Sequence, residues 1–201
     1  MRSVFAVIGG ALALTALFVL DPCLALAATP VPVSGGNVTL SPDNTKIQFV
    51  GTHSPPKQPD PRRGGFAKFK GKVAVDAATK SLKSVSVEID TASLFTEIDK
   101  LTTHLKSPDF FDVREYPKAT FESTKITAGE KGKATITGKL SLHGVTKEIS
   151  FPATAEVGDK GLTLKSEFSI DRRQFDMKFG EGMVEPKVSM TVIVGEKTTP
   201  K

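Results

Sequence analysis

From residue 46 to the C-terminal end, apolar and polar positions alternate with a period of two in one segment after another. Ile47 and Phe49 flank Gln48. Phe69, Gly71, Val73 and Val75 interleave with Lys68, Lys70, Lys72 and Ala74, and Val85, Val87 and Ile89 interleave with Ser84, Ser86 and Glu88. A fourth segment, 118–127, carries Phe121. The pattern recurs at 134–142 (through Leu140), 149–155, 162–170 (through Phe168) and 188–194. Each of these eight segments has one apolar face. Parallel strands covered on both sides would read as continuous apolar runs, so alternation predicts antiparallel strands. Turn residues at 77–80, 128–131, 144–145 and 158–161 are spaced for hairpins. The simplest assembly is all-β: an eight-stranded antiparallel up-and-down barrel, whose closure removes exposed edges. A two-sheet sandwich is the structural alternative.

One stretch breaks the period. Ile98, Leu101 and Leu105 recur at helical spacing, and Thr96 followed by Asp99 has the form of a capping box. This predicts a single short helix over 97–107, ended before Pro108 and docked by its stripe on one end of the barrel. Phe110 and Phe111 follow it directly. Residues 53–65 hold four prolines and two adjacent glycines and read as a long loop without a ladder. Residues 171–185 form a second irregular link, and 28–36 a flexible leader to a domain spanning 37–201.

The first 27 residues read as a signal peptide. Arg2 precedes an apolar run at 4–20, and Ala25-Leu26-Ala27 offers a small-residue cleavage site. The chain is therefore expected in the periplasm or secreted. Cys23 is the sole cysteine and lies inside that segment. The exported chain would then hold no disulfide and no thiolate chemistry. The net charge of +5 is spread over the outward strand positions. That pattern fits a solvated exterior, with no nucleic-acid stripe, and favours transient contact with anionic membrane. A transmembrane barrel would need aromatic girdles and an apolar outside. This chain has no Trp, one Tyr and lysine-rich outer faces.

Enzymatic signatures are missing from the sequence: no nucleophile elbow, no Gly-rich phosphate loop, no His-Glu-x-x-His. His53, His104 and His143 are far apart. No cofactor and no metal is expected, and no catalytic residue is assigned. The inward set mixes large residues (Phe49, Phe69, Phe121, Phe168) with small ones (Gly71, Gly138, Ala153). An eight-stranded barrel of this kind either fills itself or holds one small ligand. The residues alone leave that open.

Three segments carry a family likeness. The run from His104 through Ser107, Asp109-Phe110-Phe111-Asp112 and Tyr116-Pro117 to Phe121 comes first. Leu140-Ser-Leu-His-Gly-Val-Thr-Lys147 and Ser169-Ile-Asp-Arg-Arg-Gln-Phe-Asp-Met177 follow in order. Together they resemble the YceI-like proteins, whose lipocalin-like barrel binds polyisoprenoids or related lipids. Asp176 and the Pro-rich loop depart from the family pattern. The resemblance implies an open lumen holding a long-chain isoprenoid, an isoprenoid quinone or another lipid, bound as ligand by a monomer or a dimer. Taken with the alternation and the helical stripe, this puts Phe49, Phe69, Phe121, Leu140, Phe168 and Phe175 around the ligand, with Leu101, Leu105, Phe110 and Phe111 at the helix end. Arg172 would face a head group, beside Lys57, Arg62, Arg63 and Arg173. The alternative is an envelope interaction module whose barrel is solidly packed and binds another protein by its loops.

Overall fold

The computed structural model describes residues 28–54 and 60–200. The expected signal peptide, Cys23 and Lys57 lie outside the described residues. Eleven strands, all paired antiparallel, form one curled sheet. They are β1 (Asn37–Leu40), β2 (Thr45–Gly51), β3 (Arg62–Phe66), β4 (Phe69–Asp76), β5 (Ser81–Asp90), β6 (Leu94–Thr96), β7 (Lys118–Ala128), β8 (Lys133–Leu142), β9 (Val145–Gly158), β10 (Gly161–Asp171) and β11 (Lys187–Val194). The sheet order is β1-β4-β5-β7-β8-β9-β10-β11-β2-β3-β6. One helix, α1 (Asp99–Lys106), follows β6.

Eleven strands stand where eight were expected. The eight alternating segments are β2, β4, β5 and β7 to β11. The three others, β1, β3 and β6, are too short to show a period. β3 and β4 are separated only by Ala67 and Lys68, and β5 and β6 only by residues 91–93. Hydrogen bonds from Ala67 N to Ser93 O (3.1 Å) and from Asp90 N to Lys68 O (3.0 Å) carry the pairing across both breaks. β4 and β5, next to β1 at one end of the strand order, and β3 and β6 at the other thus belong to the same two stretches of chain.

The expected loop at 53–65 contains β3, paired with β2 through Gln48–Gly65 and Phe49–Gly64. The prolines stop at Pro61, and the glycines serve the ladder by giving room. A Cβ on Gly64 would collide with the Phe49 ring and lie 2.7 Å from the Phe95 carbonyl oxygen. Gly64→Ala should therefore cost about 1–3 kcal/mol, the usual range for overpacking. Urea unfolding of the variant checks this, and an unchanged midpoint would show that the β2–β3 junction relaxes freely.

The expected flexible leader is docked. Val31 exchanges hydrogen bonds with Leu162 (2.9 Å each way), and Thr29 N donates to Gly195 O at 2.9 Å. Val31 is buried in the main core with Val38, Leu40, Val73, Ile136, Leu162 and Val194. The helix starts later than its sequence signals. Ile98 is the N-cap and no side chain caps the helix. Thr96 ends β6, and its hydroxyl donates to Ile98 O and pairs with Thr102 Oγ1 at 2.9 Å. Ile98 therefore falls outside the helical register and is 39 % exposed.

Hairpins set the sheet's register. At β8–β9 the two-residue turn His143-Gly144 has φ of 51° and 73°. This is the double left-handed geometry that matches strand twist. A Cβ on Gly144 would also lie 2.6 Å from the Tyr116 ring. Two of the three motif segments thus touch at this point.

Candidate functional site

One end of the curled sheet encloses a cavity of about 320 Å³. Its walls come from inward positions near the strand ends: Phe49 of β2, Phe66 of β3, Ile89 of β5, Ala119 of β7, Leu140 and Leu142 of β8, Ile170 of β10, and Val188 and Met190 of β11. Leu101 and Leu105 of α1 form part of the cover. The chain after α1 folds back tightly. Ser107 Oγ donates to His104 O (2.8 Å), Phe110 N to Ser107 O (3.1 Å) and Phe111 N to Leu105 O (3.0 Å). This turn drives Phe110 and Phe111 into the cavity wall. Phe66 bridges Phe49 and Phe111, with ring centroids 5.9 Å apart in each pair.

The remaining wall is the loop between β10 and β11, with Met177, Phe179, Met183 and Val184 facing the cavity. Arg172 holds it. This guanidinium is 4 % exposed. Nε donates to Glu185 O (3.2 Å), one terminal nitrogen to Met177 O (2.6 Å) and Phe179 O (2.8 Å), and the other to Val184 O (3.0 Å). Burial pushes its pKa below the usual arginine value, with the neighbouring Asp171 acting the other way. Expected to meet a head group, Arg172 lines the cavity but spends these donors on four backbone carbonyls. Arg62 also reaches the rim, paired with Asp60. Arg63 is exposed and Arg173 is bound to Asp171.

Seven of the eleven expected ligand residues come together at the cavity: Phe49, Leu101, Leu105, Phe110, Phe111, Leu140 and Arg172. Four do not. Phe69 is buried against Phe66 and Leu94 in the adjoining core, and Phe175 is fully buried with Ala119, Leu142 and Met177. Phe121 and Phe168 pack with Phe151 further inside the sheet, at centroid distances of 5.3 Å and 4.3 Å from it. The Met177–Val184 wall, Phe66 and His104 were not anticipated as cavity residues.

The histidines do not converge. His104 Nε2 pairs with Asp109 at 2.8 Å, its ring edge-on to Phe110 and Phe179 at the mouth. His143 Nδ1 donates to Phe175 O at 3.0 Å. Among the described residues no three His, Cys, Asp or Glu form a metal-like group. None of their helices is long and apolar enough to cross a membrane.

Asp171 caps the turn that starts the loop, accepting from Arg173 N (3.0 Å), Nε (3.1 Å) and a terminal nitrogen (2.8 Å). The Arg173 side-chain bond is the chief reason its carboxyl titrates below the ordinary aspartate value of 3.8. A depressed folded pKa contributes stability that is complete above the unfolded value and lost as pH falls through the folded one. Below about pH 4 the loop should loosen. Hydrogen exchange of residues 176–184 at pH 3 and pH 6 checks this. Asp171→Asn should remove most of the pH dependence, with the rest carried by Asp176, whose carboxyl the Lys178 bond likewise holds below 3.8; an undiminished dependence in that variant would assign it to another group.

The YceI-like domain profile matches residues 39–195. A UPF0312 protein of Pseudomonas putida strain W619 is 41 % identical over 91 residues, and one of Pseudomonas savastanoi is 43 % identical over 91. Those matches span 45 % of this chain and 47 % of each relative, about half their length. BcnA of Burkholderia cenocepacia superposes with a TM-score of 0.67 at 26 % identity, covering 75 % of this chain and 94 % of that one. A polyisoprenoid-binding domain from Saccharophagus degradans shares the fold at a TM-score of 0.60 and 14 % identity, covering 78 % and 95 %. With its profile match running from β1 to the residue after β11, the chain belongs to the YceI-like domain family.

Proposed function

We propose that this protein binds a lipid by its apolar chain in the cavity beneath α1, for storage or transfer across an aqueous compartment. The single observation that carries this is the composition of the cavity wall. Strand, helix and loop all turn aliphatic, aromatic or thioether side chains into one space. Apolar burial is the dominant force such a site offers. The fold relative from S. degradans, named as a polyisoprenoid-binding domain, supports an isoprenoid chain or isoprenoid quinone as ligand. The sheet is read as a closed barrel with its lumen open at the helix end. The role is read as non-enzymatic: the cavity wall is apolar, and Arg172 spends its donors on backbone carbonyls.

The residues 25–27 support export to the periplasm or beyond. Phe179 and Met183, 41 % and 57 % exposed on the rim, support brief contact with a membrane while lipid is exchanged. Native mass spectrometry of the exported protein, followed by organic extraction, is the test. A lipid adduct is expected, at one per chain whether the protein is a monomer or a dimer. A bare mass, unchanged after incubation with lipid vesicles, would favour the interaction module instead.

A further inference from the structure

We infer that the aromatic stack Phe121–Phe151–Phe168 acts as a ruler, limiting the enclosed part of the ligand to an apolar chain of about a dozen carbons. This rests on the lipid-binding reading above and specifies its substrate class.

The strand positions locate the stack. Ala119 of β7 lines the cavity, and Phe121 lies two residues further along the same inward face. Ile170 of β10 lines it, and Phe168 lies two residues deeper. In the ladders Phe121 stands opposite Leu140, and Phe168 opposite Met190. Leu140 and Met190 are the deepest wall residues on their strands, so the stack backs the cavity floor. Phe151 joins the two rings: it lies parallel to Phe168 within 11° and tilted at 49° to Phe121. The stack is seated firmly. A Cβ on Gly138 would approach the Phe121 ring to 2.6 Å, so the ring lies directly on that backbone. Beyond the stack the core is filled by Ile136, Leu162, Leu164 and Val194, and Val31 closes the far end. The lumen is therefore a blind one, its far part filled by the protein's own side chains.

Volume then sets a length. A cavity of about 150 Å³ takes up benzene, on the order of 25 Å³ per carbon. At that figure the 320 Å³ here holds about thirteen carbons, roughly two to three isoprene units or a medium acyl chain. Further units of a longer polyisoprenoid would have to lie outside, on the rim. Each enclosed methylene tightens binding by up to about fourfold, whereas carbons left in water add little.

The experiment uses the full exported chain, stripped of lipid, and measures affinity by competition for two probe series: straight-chain alcohols of roughly eight to twenty carbons, and prenyl alcohols of two to four isoprene units. Affinity should climb with length and then break to a plateau near thirteen carbons. Ile170→Phe, which fills the cavity from its wall, should move the break down by about one carbon at that figure. Phe168→Leu, a mild change that opens the stack, should move it up by a similar amount. A steady climb through twenty carbons, or a break unmoved in a folded Ile170→Phe variant, overturns the ruler while leaving lipid binding intact. Absence of binding at every length overturns both readings.

Discussion

Replacing Arg172 with alanine should lower stability by about 3–5 kcal/mol, the range for removing one side of a buried charged network, and should abolish lipid retention. Each hydrogen bond from a charged donor is worth about 1.5–3 kcal/mol. Four such bonds would sum to more than is expected here. The loop they hold lies at the surface, however, and its freed carbonyls can turn to water. What cannot be recovered is the wall. Met177, Phe179, Met183 and Val184 keep their places because the carbonyls of Met177, Phe179 and Val184, and that of the adjoining Glu185, converge on one guanidinium. Lysine should rescue poorly, because a compact ammonium with three donors cannot span the same fan of acceptors. Urea unfolding together with retained-lipid mass checks both parts. An alanine variant within about 1 kcal/mol of the parent, below the usual worth of one charged hydrogen bond, and still carrying lipid would show that the loop closes without the arginine.

Leu105→Asp should weaken lipid binding at least about 100-fold, equivalent to about 2.7 kcal/mol, with the sheet still folded. Leu105 faces the cavity from α1 and packs on the core that holds Phe66 and Phe69. An unpaired carboxylate there must take up a proton, reach water by pulling the helix off, or bear a desolvation cost of several kcal/mol. All three outcomes oppose an apolar ligand. The helix is short and has no fully buried residue, so its displacement should leave the strands intact. Ile98→Asp is the control. The sequence pattern puts Ile98 on the same stripe as Leu105, but the structure puts it in solvent. Affinity measured on the two variants separates these views. Equal losses would mean that the helix docks in the register read from its sequence.

How much was legible in advance follows from what periodicity can report. A period of two identifies which face of a strand is apolar, and Phe49 and Leu140 were found that way. It does not say at what height along the strand a side chain sits, or whether a ring faces open space or another ring. Phe121 and Phe168 are inward as expected, yet they meet Phe151 and not the cavity. Periodicity is also blind to short ladders. In sequence β3 reads as loop because Gly64 and Gly65 resemble turn residues, whereas the crowding by Phe49 and Phe95 is what requires them. Thr96 looked like a helix cap, but its hydroxyl was already engaged with Ile98 and Thr102. The Met177–Val184 wall had no period to detect. Its one signal is composition: two methionines, a phenylalanine and a valine in a run, 177–184, otherwise built of glycine and charge. The YceI-like motif residues largely turned out to hold the site together: Gly144 against Tyr116, His143 on the Phe175 carbonyl, Arg172 across the loop.

The hydrogen bond from Thr29 to Gly195 has a practical side. It brings Thr29 and Gly195 together at the end of the sheet away from the cavity, with the length of the strands between them and the mouth. Eleven residues of β10 in extended form span about 36 Å. A surface tether, fusion partner or affinity tag attached at Ala28 or after Gly195 should therefore hold the molecule with its mouth pointing away from the support. Immobilised in that orientation, the protein could be loaded and emptied repeatedly without being released, as a sensor element or an extraction resin would need.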